Sequence, residues 1–496
     1  MPERSATATV SAHHLRVILC THCHSERSEE SIRRALACSI RFFTPLRFVQ
    51  NDKSATPDTV RRIVPSMATV EIETHGCKLN TADSQQMAAE FLRAGFEVRG
   101  RDNSHPPDVF ILNSCTVTHV ADKKARQAIS AAKRRYPSAL TVMTGCYPER
   151  AADETASLHS VDLVLGNQAK PQLVEKIADR LKIDLTPCSD GRDVIPSEAL
   201  LGRTRASVKI QEGCDQVCAY CIVPKVRGRE RNVPIDAIVS RVTQLERAGC
   251  REVVFTGTQL GHYGFDLGAG IDLAFMLTEV LTRTQMPRIR VSSLQPPEID
   301  DRLLDVWTDQ GEGRLCSHFH MPLQSGSDTI LRKMRRTYTA AEFLRKVDLV
   351  RHRLPGCGVT TDVIAGFPGE TDEDHEASAS VMRAVDFSDT HIFPYSARPG
   401  TSAHYFADHL DPVLKVERAK ELRSIAAASS ESFKASMLGQ VRSVLWEGQR
   451  GRSGLTDNYI KVRMSAGDIK AEGDGLIEEV VLREVDGDGV VLVGAM

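Results

Sequence analysis

Three cysteines near the middle of the chain have a spacing that indicates chemistry. Cys214, Cys218 and Cys221 stand in the segment Glu-Gly-Cys-Asp-Gln-Val-Cys-Ala-Tyr-Cys, with three and then two residues between them. Three soft thiolates on one short segment can bind three irons of a cubic iron–sulfur cluster. No fourth cysteine follows nearby, so one iron would stay open for a ligand from outside the protein. The alternative is a zinc knuckle, which would need a fourth Cys or His ligand.

The same segment resembles the cluster loop of radical S-adenosylmethionine (SAM) enzymes, in which the open iron binds the amine and carboxylate of SAM. An aromatic residue, Tyr220, stands just before the third cysteine. The resemblance implies a [4Fe–4S] cluster on these three cysteines, SAM as cofactor, and Tyr220 among the residues that contact it.

Length and composition limit the class of protein. A chain of 496 residues has room for about three domains. Hydrophobic residues make up 41% and charged residues 26%, as in soluble globular proteins. The net charge of −2 gives no overall attraction to nucleic acid, so RNA binding would need a local basic patch. The 13 cysteines, without a signal peptide or an apolar run long enough for a membrane span, predict a cytoplasmic enzyme with metal or catalytic cysteines.

The first 66 residues differ from the rest of the chain. They are rich in Ser, Arg, His and Thr and contain only short apolar runs. We predict that residues 1–66 are disordered or a mis-called extension, and that Met67 is the natural start. A zinc site at Cys20 and Cys23 with a neighbouring histidine is conceivable but not favoured.

Residues 67–185 alternate between short apolar runs and helical patterns. The runs at 70–74, 109–113, 140–144 and 162–165 predict strands of a parallel sheet with helices on its faces. Cysteines follow the first three of these strands, at Cys77, Cys115 and Cys146. Because ligands collect at the carboxyl edge of such sheets, these three thiolates predict a second cluster. The alternative is three unrelated buried cysteines.

The sequences around these cysteines carry a second resemblance. Thr-His-Gly-Cys-Lys-Leu-Asn at Cys77, Asn-Ser-Cys-Thr-Val-Thr at Cys115 and Thr-Gly-Cys-Tyr at Cys146 resemble the amino-terminal domain of the methylthiotransferase family. Members of that family carry this domain ahead of a radical SAM domain. The resemblance extends over nearly all of the chain from Met67 onward, and it implies two [4Fe–4S] clusters with divided roles.

The region from 200 to 430 contains six further strand candidates, at 208–211, 253–256, 289–292, 318–322, 359–364 and 391–395. Six β/α units predict an open, partial (β/α)6 barrel, as expected for a radical SAM core, with the chemistry at the carboxyl ends of the strands. The residues there resemble the SAM-binding segments of the family and give a set of candidate cofactor contacts: Tyr220, Thr256, Gly257, Ser293, Gln324, Asp362, Ile364 and Gly366.

Residues 431–496 are strand-rich and predict a small antiparallel barrel that resembles the TRAM domain, an RNA-binding module. Acidic residues outnumber basic ones there, so RNA binding would depend on a cluster such as Arg450, Arg452 and Lys461. The alternative is a structural cap. Two other basic stretches are candidates for phosphate contact: a group on the helix at 121–135 and the run from Arg227 to Arg231, which borders the cluster loop.

Two segments resemble the branch of the family that acts on threonylcarbamoylated adenosine in tRNA (MtaB-type). They are 113–126, Asn-Ser-Cys-Thr-Val-Thr-His-Val-Ala-Asp-Lys-Lys-Ala-Arg, and 256–264, Thr-Gly-Thr-Gln-Leu-Gly-His-Tyr-Gly. The resemblance implies that SAM cleavage yields a radical that takes the hydrogen from C2 of the adenosine at position 37, and that the second cluster delivers the methylated sulfur.

The implied partners are the anticodon loop of ANN-decoding tRNAs, an electron donor and a sulfur source, and we expect a monomer. The enzymatic alternative is a methylthiotransferase acting on isopentenyladenosine at the same position. An alternative of another class is an RNA-binding protein whose clusters are structural or redox-sensing.

Overall fold

A computed structural model describes residues 68–100, 105–185, 200–311, 313–447, 453–464, 475–487 and 489–494. The predictions for residues 1–66, for Met67, and for Arg450 and Arg452 therefore lie outside the described residues. No helix in the described ranges is both long and apolar enough to cross a lipid bilayer.

The amino-terminal part is a parallel sheet with helices packed against it. Its strands are β1 (Thr69–Thr74), β2 (Glu97–Arg99), β3 (Val109–Ser114), β4 (Leu140–Gly145) and β5 (Leu163–Leu165), in the order β2-β1-β3-β4-β5. Its helices are α1 (Lys78–Arg93), α2 (His119–Arg135), α3 (Cys146–Arg150), α4 (Ala152–Ala156) and α5 (Leu173–Leu181). All residues of β3 and β4 are buried, as is typical of parallel strands covered on both faces.

The middle part is an arc of six parallel strands. The strands are β6 (Arg205–Lys209), β9 (Glu252–Thr256), β10 (Arg288–Val291), β11 (His318–His320), β12 (Gly358–Ala365) and β13 (Asp389–Pro394). They form two three-stranded sheets, joined where Ile289 bridges to Leu315 and Ser293 to His320. A short hairpin of β7 (Gln211–Glu212) and β8 (Arg231–Asn232) frames the cluster segment.

Helices connect these strands. They are α6 (Val223–Arg227), α7 (Ile235–Arg247), α8 (Leu273–Arg283), α9 (Asp301–Asp305), α10 (Asp328–Lys333), α11 (Ala340–Arg353), α12 (Asp372–Ala384) and α13 (Pro412–Ser436). The last of these spans residue 430, where sequence alone places a domain boundary.

The carboxyl-terminal strands close into a barrel in the order β14-β15-β16-β18-β17. They are β14 (Val441–Glu447), β15 (Ser453–Thr456), β16 (Lys461–Met464), β17 (Ile477–Val485) and β18 (Val491–Gly494). The predicted fold class is confirmed: a parallel α/β sheet, a partial barrel and a small closed β-barrel. The small barrel was predicted to be antiparallel, which is wrong for one pair, because β16 and β18 run parallel. The strands β2, β15 and β17 are additions that the sequence analysis did not predict.

Two buried arginines attach the small barrel to the base of the strand arc. Arg288 and Arg290 both pair with buried Glu252, at 3.0 and 2.9 Å. Arg288 also donates to the carbonyl of Leu455, and Arg290 to those of Thr456 and Asp457. The turn that supplies these carbonyls continues into Tyr459, whose ring stacks on His318 with centroids 4.3 Å apart. The small barrel is therefore held by specific polar contacts with the inside of the larger one.

Arg290→Met is expected to lower the free energy of unfolding by about 3–5 kcal/mol, because a buried carboxylate loses a partner and two carbonyls lose a donor. Urea unfolding followed by tryptophan fluorescence would measure it. Arg302→Met is the control, since Arg302 is 65% exposed and pairs with Asp272 at the surface, 2.6 Å away. Its effect should stay below about 1 kcal/mol. Equal effects from the two changes would contradict this assignment.

Candidate active site

The first group of cysteines lies on the segment that links β7 to α6. Cys214, Cys218 and Cys221 are all free thiols, the first buried and the others half-buried. The segment is shaped by backbone contacts: Cys221 N donates to Cys218 O at 3.1 Å, and Cys214 N to Gly228 O at 3.2 Å. Gly213 begins the segment with φ of +77°, and a Cβ there would lie 1.9 Å from the carbonyl oxygen of Arg229. The crossing of the two backbones thus requires glycine at this position.

These three cysteines line a cavity of about 210 Å³ together with residues from the carboxyl ends of several strands. Four of the predicted SAM contacts lie on its wall: Tyr220, Ser293, Gln324 and Asp362. The structure therefore brings the cluster segment, β10, β11 and β12 to one place, as the strand-end argument requires.

The other four predicted contacts lie beside the cavity and are not part of its wall. Thr256 is buried at the end of β9, and Gly257 packs against Gln211, where a Cβ would lie 2.9 Å from its Oε1. Ile364 N donates to Gln324 O at 2.9 Å, and Gly366 N to Glu370 Oε1 at 3.0 Å. These residues fix the backbone behind the wall, and any contact with SAM stays a prediction.

The wall also contains six side chains outside the predicted set of SAM contacts: Gln216, Thr258, Gln259, Gln295, Glu298 and Arg336. Thr258 and Gln259 directly follow a predicted contact, so extending the strand-end segment by two residues would have found them. Arg336 comes after helix α10, and no strand-end pattern indicates it. Its Nη1 lies 3.3 Å from the sulfur of Cys218, which places a positive charge beside the cluster segment.

A chain of amide and carboxyl groups runs along this wall to the cysteines. Glu298 accepts from Gln259 Nε2, and Gln295 Nε2 donates to both Gln259 Oε1 (2.5 Å) and Gln216 Oε1 (3.1 Å). Gln216 Oε1 in turn lies 3.8 Å from Cys218 Sγ. Burial raises the pKa of Glu298 to about 6. The network therefore connects the carboxyl of Glu298 to Cys218 in the cluster segment through three glutamine side chains.

Glu298→Gln is expected to raise the free energy of unfolding relative to wild type, and this difference should grow with pH. The folded state holds the Glu298 proton more tightly than the unfolded state, whose pKa is near 4.5. The wild-type contribution is therefore complete below about pH 4.5 and is lost as pH rises through about 6. Glutamine does not titrate, so the variant has no such loss. The difference in free energy of unfolding between the variant and wild type should therefore increase by about 2 kcal/mol over this window. Urea unfolding of both proteins at each end of the window measures it, and a pH-independent difference would contradict the raised pKa.

The second group of cysteines stands at three neighbouring strand ends, as predicted. Cys115 and Cys146 follow β3 and β4 directly, and Cys77 stands three residues after the end of β1. Gly76 has φ of +116°, and a Cβ there would lie 2.6 Å from Cys115 Cβ, so glycine is what lets the first two loops approach each other. Asn80 lies among them, with its Oδ1 4.0 Å from Cys77 Sγ and 3.9 Å from Cys146 Sγ.

The environment of these thiols fits an iron–sulfur cluster. Burial, together with the nearby thiols of Cys77 and Cys146, raises the pKa of Cys115 to about 12. Buried thiols of this kind ionise when positively charged irons compensate their charge. In a cluster each thiolate binds a different iron. Within the described residues, no three His, Cys, Asp or Glu side chains are close enough to share one metal ion, which is what a zinc site would need.

Helix α6 connects the two cysteine groups. It begins two residues after Cys221, and Cys146 packs against Ile222 and Val226. Asn167 reinforces this contact, because its Nδ2 lies 2.7 Å from Val226 O and 3.5 Å from Cys146 Sγ. Both cysteine groups therefore adjoin helix α6, although the strands that precede them belong to different sheets.

Arg227 at the end of α6 is buried, which contradicts its prediction as a phosphate contact. Its guanidinium donates to Asn80 Oδ1 at 2.5 Å, Asp83 Oδ2 at 3.0 Å and Glu212 Oε1 at 2.8 Å. Asp83 also pairs with Lys170 and Lys209 at 2.6 and 2.8 Å. These charges satisfy each other inside the protein, so Arg227 is not available to RNA.

Other predicted basic residues lie at the surface. Arg229 is 87% exposed, with Asp215 3.3 Å away, and Arg231 is exposed as well. Lys461 is exposed on β16, and Lys123, Lys124, Arg134 and Arg135 are exposed on α2. These positions remain candidates for contact with RNA.

Comparisons with known proteins decide the family. Two family models match: "Radical SAM superfamily" over residues 208–381 and "Uncharacterized protein family UPF0004" over residues 69–166. The threonylcarbamoyladenosine tRNA methylthiotransferase MtaB of Bacillus subtilis is 35% identical over 412 residues, covering 80% of this chain and 90% of that protein. The chain belongs to the radical SAM tRNA methylthiotransferase family. The predicted cofactors of the family, SAM and two [4Fe–4S] clusters, are confirmed.

Relatives named for another substrate are nearly as similar. The tRNA-2-methylthio-N(6)-dimethylallyladenosine synthase of Bacteroides thetaiotaomicron is 33% identical over 413 residues, covering 81% of this chain and 88% of that protein. Among solved structures, the radical SAM methyltransferase TsrM of Kitasatospora setae superposes with a TM-score of 0.49 and 16% identity, covering 66% of this chain and 72% of that one.

Proposed function

We propose that this radical SAM tRNA methylthiotransferase adds a methylthio group to C2 of N6-threonylcarbamoyladenosine at position 37 of tRNA. Cys214, Cys218 and Cys221 hold the cluster that binds SAM in this proposal, and Cys77, Cys115 and Cys146 hold the second. The observation that carries it is the contact of both cysteine groups with one short helix, α6. A reaction that needs a radical source and a sulfur source at one carbon requires the two to be close together.

The cofactors supply the difficult chemistry, namely removal of the C2 hydrogen and delivery of the methylated sulfur. The chain's own residues orient and shield them. In the proposal, SAM lies in the cavity walled by Tyr220, Ser293, Gln324 and Asp362, with Thr256, Gly257, Ile364 and Gly366 supporting the wall. Asp362 is well suited to hold a polar group, because His320 and His391 each lie 3.3 Å from its carboxylate. Burial alone would raise the pKa of Asp362, but these histidines hold it below its usual value.

The substrate assignment is supported by two segments that resemble the threonylcarbamoyladenosine branch. In the first, buried Arg398 pairs with Asp122 on α2 at 2.6 Å and donates to Thr116 Oγ1 at 2.7 Å, which ties the segment after Cys115 to the segment after β13. In the second, Gly261 packs against Glu298, where a Cβ would lie 2.2 Å from its Cγ. Both segments therefore shape the surroundings of the proposed reaction centre. The Bacillus subtilis relative carries the same substrate in its name.

The proposed partner is the anticodon loop of ANN-decoding tRNAs, because proteins read unstacked loop bases far more readily than paired ones. Two apolar side chains beside the cysteines suit an unstacked base: Val117, two residues after Cys115, is 52% exposed, and Val217, one residue before Cys218, is 67% exposed. The proposal also includes an electron donor, a sulfur source, a cytoplasmic location, a monomeric state and an RNA-binding role for the small barrel as a TRAM domain. Its domains are 67–185, 200–430 and 431–496.

Nucleoside analysis of tRNA from a deletion strain tests the substrate. The proposal predicts that 2-methylthio-N6-threonylcarbamoyladenosine disappears, that its unmethylthiolated precursor accumulates, and that the plasmid-borne gene restores the product. Loss of 2-methylthio-isopentenyladenosine instead would assign the chain to the other branch.

A further inference from the structure

A second cavity is lined by Lys78, the residue that follows Cys77. It has a volume of about 330 Å³ and is lined by residues of three parts of the chain, among them Lys78 and Thr81 on α1, Arg203 and Arg205 near β6, and Tyr459 in the small barrel. Nothing in the radical chemistry proposed above uses it. Its distinguishing property is charge, because three cationic side chains line it against one acidic side chain, Glu447.

Arg203 at this cavity is exposed, whereas Lys78 is half-buried and has no acidic partner among the described residues. Its ammonium lies 5.7 Å from the centroid of the Tyr459 ring, a cation–π contact. Within the part of the chain that the structure describes, no carboxylate is within salt-bridge distance of it. Arg205, in contrast, is held by Glu447 at 2.6 Å. A half-buried ammonium that contacts an aromatic face and pairs with no carboxylate can accept an anion.

The other charges around Lys78 do not neutralise it. Arg290 faces the same Tyr459 ring at 5.4 Å and is already paired with Glu252. Asp362 is near enough to attract Lys78 electrostatically, but its two oxygens are each paired with a histidine, His320 and His391. The surroundings therefore carry an excess of positive charge that a ligand anion would balance.

The position of Lys78 connects this cavity to the reaction centre. Lys78 directly follows Cys77 of the second cluster group, and Asp362, which attracts it, is on the wall of the SAM cavity. Lys78 therefore stands one residue from the second cysteine group and within electrostatic range of the wall of the SAM cavity. The two candidate substituents differ in one respect here: threonylcarbamoyl ends in a carboxylate, whereas isopentenyl is wholly apolar.

We propose that Lys78 and this cavity bind the carboxylate of the threonylcarbamoyl group on the substrate adenosine. This inference rests on the proposed function and deepens it by assigning substrate selection to a residue. An ammonium–carboxylate pair is a charge-assisted hydrogen bond, among the stronger polar contacts in proteins. An isopentenyl group in the same place would leave the ammonium unpaired while covering it from water, which is unfavourable.

The test measures binding of labelled anticodon stem–loop RNA to the full-length holoenzyme by fluorescence anisotropy. One RNA carries threonylcarbamoyladenosine at position 37, and the other carries its carboxamide, which has the same shape without the charge. Wild type should bind the acid about tenfold to a hundredfold more tightly than the amide. Lys78→Met should abolish this preference by weakening binding of the acid alone.

Three further variants and an iron count make the result interpretable. Lys78→Gln removes the same charge but keeps a polar side chain. If Lys78→Met lowers the iron content, the RNA binding of Lys78→Gln tests the inference instead. Lys78→Arg should retain most of the preference. Lys176→Met removes a positive charge from an exposed site on α5 and should leave the preference intact.

Two outcomes would overturn the inference. If the neutral variants weaken both RNAs by the same factor, Lys78 contacts a backbone phosphate, which both RNAs share. If they keep the preference, the carboxylate binds elsewhere. Nucleoside analysis after adding SAM separates failure of this inference from failure of the proposed function. If wild type methylthiolates the RNA with the carboxylate but does not bind it more tightly than the amide, only the role of Lys78 is disproved. If wild type leaves that RNA unmodified, the proposed substrate is disproved.

Discussion

Changing Cys77, Cys115 and Cys146 together to alanine should reduce the iron content from about eight to about four atoms per chain. Methylthiolation should be lost, and SAM cleavage should remain. The physical reason is that the three thiolates stand at the ends of β1, β3 and β4, whereas the SAM cavity is walled by the other cysteine group. Iron and sulfide assays on anaerobically reconstituted protein, with chromatography of the SAM products, measure both effects.

A matched control uses cysteines that belong to neither group. Cys250, Cys316 and Cys357 are equally free and are buried. Changing all three to alanine removes the same number of thiols from the chain and should leave about eight irons. A wild-type protein that binds only about four irons would contradict the second cluster, and with it the mechanism.

Arg227→Met should disturb both the fold and the second cluster. Asp83 and Glu212 would each lose a guanidinium partner, and breaking a buried pair of this kind costs about 3–5 kcal/mol. Asn80 would also lose the donor that fixes its side chain among the sulfurs of Cys77 and Cys146. We therefore expect a lower free energy of unfolding and less iron retained on the second group, measured by urea unfolding and by iron assay.

Arg229→Met is the control for this prediction, since it removes the same type of side chain two residues away at an exposed position. Its effect on unfolding should stay below about 1 kcal/mol, and its iron content should equal that of wild type. If Arg227→Met retained full iron and stability while its RNA affinity fell, Arg227 would be a phosphate contact after all.

Local patterns were sufficient to predict the cysteine groups and most strands. The spacing of Cys214, Cys218 and Cys221 is contained in one short segment, and continuous apolar runs such as β3 and β4 are typical of buried parallel strands. The strands β2 and β15 were missed because three or four residues are too few to show a periodic pattern, and β17 was missed because only two of its nine residues are buried.

Features that depend on packing between distant segments could not be predicted. Arg227 was interpreted as part of an exposed basic run, because the sequence does not show that Asp83, more than a hundred residues earlier, lies against it. Arg336 and Gln295 reach the SAM cavity from loops whose direction is set by tertiary contacts. The strand-end rule identified the right edge of the barrel but not which residues at that edge face inward.

A competition between two substrates in one reaction tests the proposed methylthiolation of threonylcarbamoyladenosine most sharply. Reconstituted full-length enzyme, reductant and SAM are incubated anaerobically with equal amounts of two stem–loop RNAs, one carrying threonylcarbamoyladenosine and the other isopentenyladenosine at position 37. Mass spectrometry of the nucleosides then identifies the product. We expect a methylthio group in place of one hydrogen on the threonylcarbamoyl nucleoside alone. Modification of the isopentenyl nucleoside would contradict the proposed substrate, and SAM cleavage with neither product would contradict the proposed reaction.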